Sequence, residues 1–185
     1  GDTPRIAYSS IKKDGEIVKS YLRDNGVTDD EMVLSSVSIS PTYTSQYDEE
    51  GRYLGDIQSG YELTQSMTVT SQDIDKVELI SRDISNLIES GVELQSNLPE
   101  YYYTKLDELK LDLITKATAN AKERIDLVAS GCGAQTDQLL TASLGVFQIT
   151  ATNSGTESYS YGGSFNTSSR FKTANITVRL NYSVK

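Results

Sequence analysis

Apolar and polar residues change period several times along the chain, and each change marks an element. Tyr61, Leu63, Gln65, Met67 and Val69 alternate with Glu62, Thr64, Ser66, Thr68 and Thr70, which predicts a strand with one buried face. From Ile74 the spacing lengthens to three or four residues, through Val77, Ile80 or Ser81, Ile84 and Leu87 or Ile88. That predicts an amphipathic helix over Asp73–Glu89, with Asp73 or Ser71 as cap and Gly91 as stop.

An earlier helix is predicted by Thr3-Pro4, a cap followed by proline at the first helical position. Ala7, Ile11, Asp14 or Gly15, Val18 and Leu22 form its face, Asn25-Gly26 ends it, and Gly15 is read as a close approach to a sheet. Val33, Val37 and Ile39 predict a strand that Pro41 limits. The Tyr- and Ser-rich residues 42–60 predict a hairpin connection around Asp48–Gly51, with the strands fraying into it. Val92 and Leu94 predict a further short strand before Pro99.

A second strong helix is predicted by the stripe Leu106, Leu109, Leu113, Ala117, Ala121, Ile125 and Val128, terminated at Gly131-Cys132-Gly133. Leu139 and Leu140 are read as a linker into a strand over 144–152, followed by a polar loop over 153–172. The last segment alternates without a break: Ala174, Ile176, Val178, Leu180, Tyr182 and Val184 share one side. It is expected to return to the sheet of the N-terminal elements. The predicted fold is α+β, with two helix-on-antiparallel-sheet units. Residues 64–149 form a central unit inserted into an outer unit of 1–63 plus 150–185, closed by the C-terminal strand.

Composition narrows the chemistry. The chain has 185 residues, a net charge of −9 and no histidine. The missing imidazoles exclude Ser-His-Asp and Cys-His catalysis and His-based zinc sites. The acidic surface disfavours nonspecific nucleic-acid binding. The charge is uneven: residues 1–50 hold ten acids and five bases, whereas 151–185 hold one acid, Glu157, and four bases, Arg170, Lys172, Arg179 and Lys185. A basic tail of this kind suits an acidic surface on a neighbouring copy or simple solvation.

Cys132 is the single cysteine and follows a helix C-terminus, where negative partial charge does not activate a thiol. Asp73 and Asp75 are read as helix-capping acids and Asp48-Glu49-Glu50 as a solvated turn, so neither metal nor cofactor is expected. No phosphate-binding glycine motif is present. The twelve tyrosines are the unusual feature. Tyr101, Tyr102, Tyr103, Tyr159 and Tyr161 are the candidate partner-contact residues, because tyrosine buries a large ring while keeping a polar tip.

The run Tyr61–Val77, Tyr-x-x-x-Gln-x-hydrophobic-x-Val and then Asp-hydrophobic-Asp-Lys, resembles the signature of the SIMPL domain family. Gly91-Val92, the Ala-rich segment 117–135 and the final alternating strand fit the same pattern, over about residues 15–185. The resemblance implies a bacterial protein of the periplasmic immunogenic type, in the periplasm or associated with the outer membrane, forming homo-oligomers or binding protein partners. It implies no catalytic residue and no cofactor; separately, no apolar run approaches the roughly 18 residues that a membrane span needs, so no transmembrane segment is expected. Its matching positions, Gln65, Val69, Asp73, Asp75, Lys76, Gly91, Ala117, Ala121 and Gly131, look structural. The family's first strand, with a Val-x-Gly-x-Gly pattern, has no counterpart here, which implies an open sheet edge at the N-terminal unit. The expected function is a non-enzymatic cell-envelope protein that self-assembles or scaffolds partners. The alternatives are a small-molecule or peptide-binding module, using a groove beside Tyr101–Tyr103, and a carboxylate-dependent hydrolase.

Overall fold

A computed structural model describes residues 1–154 and 165–185. The fold is mixed α+β, with three α-helices and several two-stranded antiparallel sheets among the described residues. The chain divides into two compact contiguous units, Gly1–Pro99 and Glu100–Lys185. This boundary lies elsewhere than the nested boundaries at 63/64 and 149/150.

In the first unit, helix α1 spans Pro4–Asp24, and Thr3 caps it by accepting a hydrogen bond from the Ile6 N–H at 3.3 Å. Gly26, at φ +82°, turns the chain off the helix; such a backbone suits glycine because a Cβ would be strained there. Strands β1 (Met32–Leu34) and β2 (Ser38–Tyr47) run out; β3 (Tyr53–Thr64) and β4 (Met67–Val69) run back. β1 pairs with β4 and β2 with β3, both antiparallel. Together they form one long hairpin, interrupted where Ser35 and Ser66 bond each other and Gln65 reaches the Ser35 carbonyl at 2.8 Å. The alternating run at Tyr61–Thr70 is therefore two strands, not one. Pro41 does not end a strand either: it sits inside β2 opposite Tyr61. A two-stranded sheet has only edge strands, where a residue without an N–H is tolerated.

The register shifts twice toward the tip, between Thr42 and Tyr43 and between Gln46 and Tyr47. The extra residues fall on β3, at Ser59 and Leu54, and each such bulge adds local twist.

Helix α2 (Ile74–Asp83) runs into a 3-10 segment over Ile84–Ser90, which ends at Gly91 with φ +82°. Val92 is buried, yet residues 92–99 join no ladder. The expected strand at Val92 and Leu94 is instead an irregular segment packed on the core. That core is a cluster of Val18, Leu22, Val27, Ile80, Leu87 and Val92, flanked by Met32, Met67, Val69 and Ile84. Of the paired alternatives, Ile80 and Leu87 point inward, while Ile88 is 56% exposed. Gly15 is not explained by crowding: a Cβ there would meet only Gln65 Oε1, at 4.0 Å.

The second unit uses the same order. Helix α3 (Leu106–Gly131) precedes β5 (Thr136–Leu144), β6 (Gln148–Ala151), β7 (Lys172–Asn175) and β8 (Val178–Val184). β5 pairs with β8 and β6 with β7. The predicted linker at Leu139-Leu140 is thus strand, and the C-terminal run breaks at Ile176-Thr177. The last strand takes β5 as its partner, not an N-terminal strand, because the two arms of this hairpin lie within one unit. The predicted α3 stripe is half-buried from Leu106 to Ile125 and ends on buried Ala129, with Val128 68% exposed. α3 lies against β8, where Lys122 Nζ sits 5.1 Å from the Tyr182 ring centre.

Candidate interaction surface

The β2–β3 hairpin is the part of the first unit with the least covering. Twelve residues of β3 and ten of β2 make an arm about 30 Å long at the usual rise per residue. α1 lies against β3 near its base, where Gly60 is buried. There the Gly1 ammonium donates to the Tyr61 carbonyl at 2.9 Å, and the Tyr61 N–H donates to the Gly1 carbonyl at 2.8 Å. Beyond that point both faces are exposed. Ile39, Tyr43, Tyr47, Tyr53, Leu54 and Ile57 are each about half exposed or more. A two-stranded ribbon without a covered face is marginally stable in water.

The tip is held by polar contacts. Asp48 accepts from the Arg52 N–H at 2.8 Å and pairs with its guanidinium at 2.7 Å, and Arg52 also reaches Glu50 at 2.8 Å. These bonds from Arg52 hold the Asp48 carboxyl below the usual range. Tyr47 and Tyr53 meet edge to face, their centres 5.8 Å apart. A bond to Asp56 raises the Tyr53 phenol, and Asp56 also accepts from Ser45 Oγ at 2.6 Å. The Asp48-Glu49-Glu50 run is a turn, as its composition suggests.

The candidate tyrosines fall elsewhere. Tyr101 is half-buried, and its N–H donates to the Thr167 carbonyl at 2.7 Å. Tyr102 is 68% exposed and donates to Glu100, and Tyr103 is 48% exposed. Tyr159 and Tyr161 lie outside the described residues. Among the described tyrosines, it is Tyr47 and Tyr53 whose rings meet. The sequence signal for this arm is the alternation Ile39, Tyr43, Tyr47, which continues past Pro41 and is hidden when that proline is read as a stop.

Chemistry is sparse. Among the described residues no acid is buried, and no group of three or more His, Cys, Asp or Glu could hold a metal ion. Cys132 is exposed. A depression of about 190 Å³ is lined by Lys19, Arg23, Asp29, Met32, Leu34 and Met67. That is smaller than the roughly 300–1,000 Å³ of small-molecule sites. No helix among the described residues is long and apolar enough to cross a membrane.

The strongest electrostatic node lies behind the arm. Lys76 Nζ pairs with Glu31 at 2.8 Å and donates to the Gly26 carbonyl at 3.1 Å. Glu31 also accepts from the Thr28 N–H at 3.0 Å. Bonds from Lys76, Ser71 and Thr28 lower the Glu31 carboxyl to about 2. Lys76 thus ties the end of α1 to the start of α2, while Asp73 caps α2 by accepting from the Lys76 N–H at 3.0 Å.

The family profile described as SIMPL, protein of unknown function (DUF541), matches residues 1–184. The chain belongs to the SIMPL family. No curated protein matches it. The geometry explains the residues that carry the SIMPL pattern. Gln65 bridges the break between β3 and β4, and Val69 flanks the core. Asp73 and Lys76 make the cap and the ion pair, and Gly91 supplies the left-handed turn. Ala117 and Ala121 lie half-buried on α3, which Gly131 ends.

Proposed function

We propose that this SIMPL protein is a non-catalytic component of the cell envelope, in the periplasm or associated with the outer membrane, that self-assembles or scaffolds partners. The observation that carries this reading is the β2–β3 arm, uncovered beyond its base and exposing Ile39, Tyr43, Tyr47, Tyr53, Leu54 and Ile57. Burying a side chain such as Leu54 or Ile57 contributes about 1.5–3 kcal/mol, so an arm of this kind favours a partner surface. Family membership and the absence of a histidine are consistent with the non-catalytic part of the reading. That no described acid is buried lends no support to a carboxylate-dependent hydrolase.

Solution mass tests it. Light scattering behind size exclusion, over a range of protein concentrations, is expected to give a multiple of 20.3 kDa. A monomer at every concentration, with no envelope partner recovered, overturns the reading.

A further inference from the structure

The chain passes from the first unit to the second through a stretch that no backbone bond holds. Val92 closes the first unit: it is buried, and its N–H donates to the Leu87 carbonyl at 3.3 Å. Tyr101 opens the second, through its bond to the Thr167 carbonyl. From Glu93 to Glu100 the residues join no helix or ladder and make no backbone–backbone hydrogen bond. Ser96 Oγ reaches only the neighbouring Asn97 carbonyl, at 3.5 Å. Leu94 packs partly against the core, but Gln95, Ser96 and Asn97 are exposed, and Leu98 is 87% exposed. Other described connections are tied down. Asp48 and Gly51 bond across the arm's turn, Ala134 bonds back to Ala129, Gly145 to Thr177 and Asn166 to Ile149.

We infer that residues 93–98 are an endoprotease site, at which hydrolysis of a single peptide bond divides the chain into its two folded units. An endoprotease takes its substrate as an extended strand, through the substrate's own N–H and C=O groups. A segment already paired must open first, and the free energy of that opening governs cleavage. In residues 93–98 there is no pairing to open, and exposed polar side chains clear the way to the backbone. Pro99 bounds the site, since it has no N–H to offer. In the reaction water adds across the scissile C–N bond, leaving a carboxylate on the first unit and an amine on the second. No side chain of this protein takes part. The cut severs no strand pairing: β1–β4 and β2–β3 lie before it, and β5–β8 and β6–β7 after it. The buried cluster from Val18 to Val92 also lies wholly on one side. The inference is independent of the self-assembly reading.

Limited digestion of the full chain tests it. Proteinase K suits the purpose, because its broad specificity lets the backbone rather than a side chain select the bond. The first cut, mapped by mass spectrometry, is expected within residues 93–98, and the cut protein is expected to keep the far-ultraviolet circular dichroism of the parent. Ser96→Pro with Asn97→Pro removes two N–H groups that bond nothing in the fold. This variant is expected to fold as the parent does and to be cut at least ~10-fold more slowly, for want of N–H groups that the protease uses. A first cut outside residues 93–98, a loss of the circular dichroism signal on cutting, or a folded proline variant cut as fast as the parent overturns the inference. Where the proline variant fails to fold, the position of the first cut in the parent decides.

Discussion

Val27 donates its backbone N–H to the Leu22 carbonyl at 3.0 Å, and both side chains belong to the same buried cluster. Gly26 between them bonds back to Arg23 at 2.9 Å, so a left-handed glycine closes the helix and folds an apolar residue onto its last turn. The pattern repeats at Leu87, Gly91 and Val92, with Val92 N–H to Leu87 at 3.3 Å. Four of the six core residues are therefore held by helix-ending turns.

Leu22→Ala is expected to destabilise the first unit by about 2–5 kcal/mol, since it opens a cavity at a fully buried site. Gly26→Ala is expected to cost about 1–2 kcal/mol, through a Cβ in the left-handed region. Urea unfolding followed by circular dichroism measures both. A neutral Gly26→Ala would show that the turn relaxes without loss.

Gly60→Ala tests a different use of glycine. An added Cβ would lie 2.8 Å from the Gly1 carbonyl oxygen, a backbone atom, so Gly1 has to shift as a whole. The expected result is release of Gly1 from Tyr61, read as faster hydrogen exchange at the Tyr61 amide, with about 1–3 kcal/mol lost. Unchanged exchange would mean that the strand end shifts to accommodate the methyl.

The Lys76–Glu31 pair predicts an acid-sensitive step. The folded Glu31 carboxyl titrates near 2 against an ordinary 4.5. Its contribution is therefore present above about 4.5 and is lost as pH falls from 4.5 through 2. Glu31→Gln should lower Tm near neutrality, and its gap from the parent should close across that window. A constant gap from pH 7 to 2 would assign the effect to packing.

The exposed arm predicts a separation of stability from assembly. Leu54→Ser with Ile57→Ser is expected to shift unfolding by no more than about 0.5 kcal/mol per site, as at exposed positions elsewhere. Assembled mass should fall nevertheless. A large loss of stability would show that these side chains are already packed within the chain.

Much of this was legible in the residues. Thr3-Pro4, Asp73, Gly26, Gly91 and Gly133 marked helix ends because caps and left-handed turns demand particular side chains close by in sequence. The spacing of Val18, Leu22, Ile80 and Leu87 marked the core. Strand pairing was not legible, since the alternation at Ala174–Val184 tells which side is apolar and not which strand lies alongside. Tyr101–Tyr103 drew attention by clustering in sequence, whereas Tyr47 and Tyr53 meet only because the hairpin brings them opposite each other. An apolar face left uncovered cannot be seen until the strands are placed.

The bulges at Ser59 and Leu54 also limit how the arm can grow. A flat ribbon with open edges invites the next ribbon to add along its whole length, and the next after that. An arm twisted at two places matches a straight strand edge over only a few residues. Indefinite cross-β stacking is thereby disfavoured, and concentrated protein is expected to stay clear and free of amyloid dye binding despite its exposed tyrosines and leucines.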